Sequence, residues 1–292
     1  MRSPADFQRP GGVHYPTFDS TVQDGELKTR NVPSDEIQRP VITDREDSMF
    51  TVYVELVGCV HGTLTPGGSP ASLIIFQYEI HCRQDKNVVR SVDTNFEFSQ
   101  TGWGTPSVIA YGPYIQRRFN ATTGTVSHQR GLEVAVGAEF DPAMAGAKYS
   151  VQQERSHEQQ YFDKIDSGRH HNESEKRHYS VWWRYTHNSD QNHGVVPAFR
   201  TAMLLKRDDM DPFSATFTIK LDAGFQYGVS QKLKYIFSKR EVDDIINFDP
   251  KAEPWPNGTM IDSTSLGNLA RDAMLDSKLT PIWGVDIGTG TP

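Results

Sequence analysis

The densest run of chemically capable side chains is Val181-Trp182-Trp183-Arg184-Tyr185. On an extended strand successive side chains point to opposite faces, so Trp183 and Tyr185 share one face and Trp182 and Arg184 the other. An aromatic wall and a fixed cation in one short segment suit an apolar pocket with a few placed donors, of the kind a cofactor-free enzyme or ligand carrier uses. In that reading Arg184 and Tyr185 are the catalytic candidates and Trp183 lines the substrate. Tyr111, Tyr114 and Arg200 are further substrate-binding candidates. The competing reading is structural, with Trp183 and Tyr185 in the core and Arg184 paired at the surface.

Two His-containing patterns invite a metal reading. His171-Asn172-Glu173 has the spacing of the first two ligands of a facial-triad iron site, with His187 or His193 as the third and Arg200 as a carboxylate clamp. A solvated polar loop explains the same residues. His157-Glu158-Gln159-Gln160-Tyr161 resembles a zincin box, but Tyr161 stands where the second imidazole is required. The chain has no Gly-rich phosphate loop, no G-x-S-x-G elbow, no C-x-x-C pair and no dinucleotide fingerprint. The expectation is a protein with neither cofactor nor metal.

A third pattern is mechanical. Residues 131–140 alternate small and apolar side chains and, after Asp141-Pro142, the run continues through Ala143 to Val151. This reads as an amphipathic hairpin. Such a hairpin inserts into a bilayer when it forms part of a β-barrel pore, with Glu133, Ala135, Gly137 and Glu139 on a lumen face. An ordinary core hairpin has the same pattern.

These residues must be held by strands. Period-two alternation runs through Ile74 to Cys82, Val92 to Phe98, Val134 to Phe140, Tyr179 to Tyr185, Phe199 to Leu205, Phe213 to Leu221 and Phe225 to Phe237. Thr65-Pro66-Gly67-Gly68, Gly112-Pro113 and Asp211-Pro212 punctuate them as turns. The polar interval 152–178 is either a long surface loop or a solvated strand extension. Helical periodicity appears only over Ser265 to Ser277. An all-β antiparallel sandwich or open barrel follows, because a parallel α/β fold needs helices between its strands. The predicted organisation is a mobile arm over 1–45, a β-rich domain over 46–248, and a tail over 249–292 that carries a short helix and wraps back through Trp255 and Trp283.

Composition narrows the partners. A net charge of −7 over 292 residues, with both signs interspersed, offers no basic stripe, so nucleic acid and anionic membrane are disfavoured. Two cysteines, Cys59 and Cys82, sit in or beside predicted strands and read as packed thiols of a reducing compartment. Residues 1–16 contain no apolar core of secretory length, which points to the cytoplasm. An apolar small molecule is the expected partner, and the oligomeric state is left open.

Asn95-Phe96-Glu97-Phe98, Pro113-Tyr114, the run Val196 to Arg207 and Asp211-Pro212-Phe213 together resemble a family of uncharacterised β-rich proteins from filamentous fungi. The resemblance spans roughly residues 50–245, some members sit in natural-product gene clusters, and no catalytic motif accompanies it. It implies cofactor-free cyclisation, such as an intramolecular [4+2] cycloaddition of an apolar terpenoid or polyene. That reaction needs only a reactive conformer and a hydrogen bond to an activating carbonyl.

Overall fold

A computed structural model describes residues 28–46, 50–82, 88–100, 104–114, 117–133, 150–174, 176–191, 193–224, 243–256, 260–271 and 274–283. The predicted strands at Val134–Phe140 and Phe225–Phe237 lie outside them. The alternating runs become strands because each has one apolar face to bury. In order they are β1 (Val41–Glu46), β2 (Phe50–Thr63), β3 (Pro70–Cys82), β4 (Val88–Ser99), β5 (Ser107–Gly112), β6 (Arg117–Glu133), β7 (Ser150–Asn172), β8 (Arg177–Thr186), β9 (Ala198–Lys206), β10 (Phe213–Gly224) and β11 (Ile246–Phe248), then the short β12 (Ala270–Arg271), β13 (Met274–Leu275) and β14 (Ile282–Trp283).

They form the two sheets of a β-sandwich, and neither closes into a barrel. One runs β1-β2-β3-β9-β5-β13-β12, with β14 beside the start of β9, and the other runs β11-β10-β4-β8-β7-β6. Aromatic rings fill the space between them. Phe76 stacks on Phe96 at 4.3 Å, Tyr78 on Phe199 at 4.6 Å and Tyr185 on Phe199 at 3.7 Å between centroids.

The first sheet is buried on its other face as well. A second cluster joins Val60, Leu73, Ile75, Ala202 and Leu204 to Leu266 and Leu275 of the C-terminal segment. Two buried faces explain why Ala202-Met203-Leu204-Leu205 is continuously apolar. The segment passes so closely that a Cβ on Gly62 would lie 1.8 Å from the Ser263 carbonyl oxygen, so only glycine fits there. Trp255 Nε1 donates to the Leu56 carbonyl, and the backbone of Trp283 pairs with that of Ala198.

Three expectations need correction. The arm expected to be mobile to residue 45 is held from residue 28 onward. β1 pairs with β2, and buried Arg39 donates to the carbonyls of Val41, Ile42 and Asp244 and to Asn31 Oδ1. Asp243 accepts from Thr29 N, Thr43 Oγ1 and Arg45. A polar network of this kind leaves no hydrophobic period to read. The helix expected over Ser265–Ser277 is a single 3-10 turn at Leu266–Leu269, followed by β12 and β13. Gly267 and Asn268 are poor helix formers, and burying Leu266 and Leu275 decides the local path. Finally, Cys59 is buried, but Cys82 is exposed at the end of β3.

Candidate functional site

β8 lies inside the six-stranded sheet between β4 and β7, so its inward face is core. Trp183 is fully buried, donates its indole N–H to the Pro113 carbonyl at 3.0 Å, and meets Tyr111 edge-on at 6.1 Å. Tyr111 lies 5.1 Å from Tyr114, and the Arg169 guanidinium sits 5.6 Å from its ring. Burial, then the neighbouring Tyr114, pushes the Tyr111 phenol up from its ordinary pKa. Tyr185 is also buried, stacked on Phe199.

The two cations lie elsewhere. Arg184 is exposed on the outer face of the same sheet and is paired with Asp93. Arg200 is on the other sheet, with Nε and Nη2 both donating to Gln77 Oε1. The structure therefore brings together Trp183, Tyr111 and Tyr114, with Tyr185 in the same core, and turns Arg184 and Arg200 away from them.

The metal patterns are not assembled. His157 lies on strand β7 opposite Val126, where no helical face exists to present it. His171 meets His178 edge-on at 5.2 Å, whereas His193 lies 3.9 Å from Asp163 and His187 N bonds to the Arg90 carbonyl. Among the described residues no three His, Cys, Asp or Glu side chains group as a metal ion would require.

Three features escaped the sequence. One is a buried cluster on β2 and β3, where His61 Nδ1 lies 2.7 Å from Ser72 Oγ, and its Nε2 is 2.9 Å from Gln38 Nε2 and 3.4 Å from Cys59 Sγ. The Gln38 amide fixes Nε2 as the acceptor, so the proton sits on Nδ1. Burial pushes the Cys59 thiol strongly up, so this Cys–His pair is not a nucleophile.

Burial, aided by Arg207, lowers His61 from 6.5 to about 4. The unfolded chain takes up its proton near 6.5, the folded one only near 4. Stability therefore falls as the pH is lowered through that window, by about 3 kcal/mol for this group. Urea unfolding at pH 7 and pH 4 should show that loss, and His61→Gln should remove about that much of the pH dependence. An unchanged slope would mean that His61 titrates normally.

The second feature is the base of the β6–β7 hairpin. Asp163, buried, accepts from Asn188 N and from Asn120 Nδ2, and Asn188 Nδ2 donates to the Asn120 carbonyl and to Thr122 Oγ1. The knot sits where the register of β6 shifts between Phe119 and Thr122, and Asn120 has a left-handed φ of 57°. Beyond it, among the described residues, β6 and β7 pair only with each other. Twelve consecutive pairs run from Thr122↔Tyr161 to Glu133↔Ser150, while β7 meets β8 only from Lys164 onward. The hairpin expected over residues 131–151 thus has described ends that pair, Gly131 with Gln152 and Leu132 with Val151; residues 134–149 lie outside the described ones.

The third feature is the outer face of the six-stranded sheet, where an open depression of about 280 Å³ lies along β10, β4, β8 and β7.

No protein-family model matches the chain, and no curated protein matches it. Among solved structures the chain is similar to the Clostridium perfringens NetB toxin in its membrane-inserted form, with 7% identity over 59% of this chain and 84% of that one, at a TM-score of 0.23. A likeness so slight bears on neither fold nor function.

Proposed function

We propose that the chain is a membrane-inserting β-hairpin protein whose copies assemble by pairing their β6–β7 ribbons into a transmembrane β-barrel. The observation that carries this reading is the ribbon itself. At about 3.3 Å per residue its twelve pairs extend roughly 40 Å from the Asp163 knot, and a two-stranded ribbon alone is marginal in water. Among the described residues no further strand pairs with its outer edges. Unpaired edges are templates for another chain, and closure into a barrel satisfies them in lipid. From Leu132 at the end of the ribbon the sequence alternates Leu132, Val134, Val136, Ala138 and Phe140 with Glu133, Ala135, Gly137 and Glu139, the apolar-out, polar-in order of such barrels. No helix among the described residues is long and apolar enough to cross a membrane, which says nothing of strands.

Calcein-loaded vesicles of phosphatidylcholine, ergosterol and glucosylceramide test this. Release is expected, and in a Cys82→Ser background an environment-sensitive dye placed singly at residues 132–140 should report lipid and water at alternate positions. Intact vesicles together with no alternation would refute the reading.

The competing reading is the cofactor-free cyclase. It rests on the resemblance to fungal proteins, among them the norbornene-forming Diels–Alder enzyme of the sordarin pathway. It requires a cleft where Trp183, Tyr111 and Tyr114 now pack on one another. A co-purifying apolar metabolite that is consumed when added back would favour it.

A further inference from the structure

The outer face of the six-stranded sheet is a grid set by strand register. Thr218, Asn95, Trp182 and Gly168 form one row across β10, β4, β8 and β7; Lys220, Asp93, Arg184 and Asp166 form the next. Trp182 is the one large apolar side chain in these two rows, and it is half-buried rather than covered. Its indole lies face-on over Gly168: a Cβ there would sit 2.9 Å from each of Cε2, Cζ2 and Nε1. Glycine thus lets one ring face lie flat on the strand and leaves the other facing the depression.

The indole N–H is set apart too. Trp183 and Trp255 donate theirs to the carbonyls of Pro113 and Leu56, whereas that of Trp182 has no partner among the described residues. Round the ring the 280 Å³ depression is lined by Asp93, Asn95, His170, Arg184, Thr218 and Lys220.

We infer that this face is a saccharide-binding groove in which Trp182 stacks against the C–H face of a neutral pyranose ring. A sugar ring offers an apolar face and a rim of hydroxyls. A half-buried indole with one face open and its N–H available, ringed by polar side chains, matches both. Of the charged side chains that line the depression Arg184 is paired with Asp93, which leaves Lys220 as the one cation there without an ion-pair partner among the described residues. One isolated cation is too little for a polyanion and disfavours a quaternary ammonium, whereas its N–H donors suit the hydroxyls of an uncharged sugar. The site stands independently of hairpin insertion, since it binds soluble sugars in the water-soluble protein.

Calorimetric titration of the full chain with cellotetraose, maltotetraose, chitotetraose and mannotetraose, each at millimolar concentration, tests it. At least one should bind, and Trp182→Ala should weaken that binding by about tenfold or more. Gly168→Ala, which keeps the indole but lifts it from the strand, should weaken it in the same direction, and Trp182→Phe should restore part of it. Circular dichroism and thermal melting separate lost binding from lost folding, because an aromatic ring over a glycine also supports the sheet. Failure of all four sugars to bind, undiminished binding by a natively folded Trp182→Ala protein, or preferential capture of phosphocholine would overturn the assignment.

Discussion

Val136→Arg should abolish calcein release while leaving the circular dichroism of the soluble protein unchanged. In the proposed barrel Val136 belongs to the apolar series Leu132 to Phe140, near the middle of the membrane-crossing stretch. An arginine facing lipid near the bilayer midplane costs about 2–4 kcal/mol per strand. Every copy in the ring bears that cost, so the assembled state is lost rather than weakened. Gly137→Lys is the matched control. It lies one residue away on the opposite face, where a water-filled lumen accommodates the charge, so release should persist and the ion selectivity should shift toward anions. Equal effects at the two positions would mean that the segment does not cross lipid as an alternating strand.

The second large effect is expected in the core. Trp183→Ala should destabilise the fold by about 4 kcal/mol in urea unfolding, because a buried indole leaves a cavity and the Pro113 carbonyl loses its donor. That is a large share of the roughly 5–15 kcal/mol that holds a domain together. Arg184→Ala, two atoms of peptide away along the same strand, removes only an exposed pair with Asp93 and should change stability by about 0.5 kcal/mol. A destabilised Trp183 variant whose natively folded fraction keeps full activity would assign Trp183 to packing alone. Selective loss of product formation in a stable Trp183→Phe protein would instead return weight to a catalytic role.

The strands that sequence alternation revealed, β3, β4, β8, β9 and β10, each send one apolar face into the inter-sheet core. Alternation failed where polar contacts do the holding. β1 is tied down through Arg39 and Asp243, which resemble ordinary loop residues until their partners some 200 positions away are known. The 23 residues of β7 are almost wholly polar, and that composition fits a loop as well as a ribbon with two wet faces. In β8 the period was right, and the structural reading of it, Trp183 and Tyr185 in the core and Arg184 paired at the surface, is the one the fold adopts. Val181 and Tyr185 decide for Trp183 as the buried one, leaving Trp182 outside. The available clue was Gly168, an isolated glycine within a strand, which marks close approach by another group. The Asp163 knot left no local signal, because Asn120, Asp163 and Asn188 meet only through the tertiary fold.

The covering of the eight-stranded sheet by the C-terminal segment imposes an order in time. β9 slots between β3 and β5, although about 125 residues separate it from β3, so that sheet awaits a late strand during synthesis. Leu73, Ala202 and Leu204 then remain uncovered until Leu266 and Leu275 have left the ribosome. Long-range pairing of this kind is slow, and an open apolar sheet face on a nascent chain is a target for aggregation and for chaperones. Emergence of the covering segment around Leu266 and Leu275, rather than completion of any one strand, is thus the event that admits this chain to its native state.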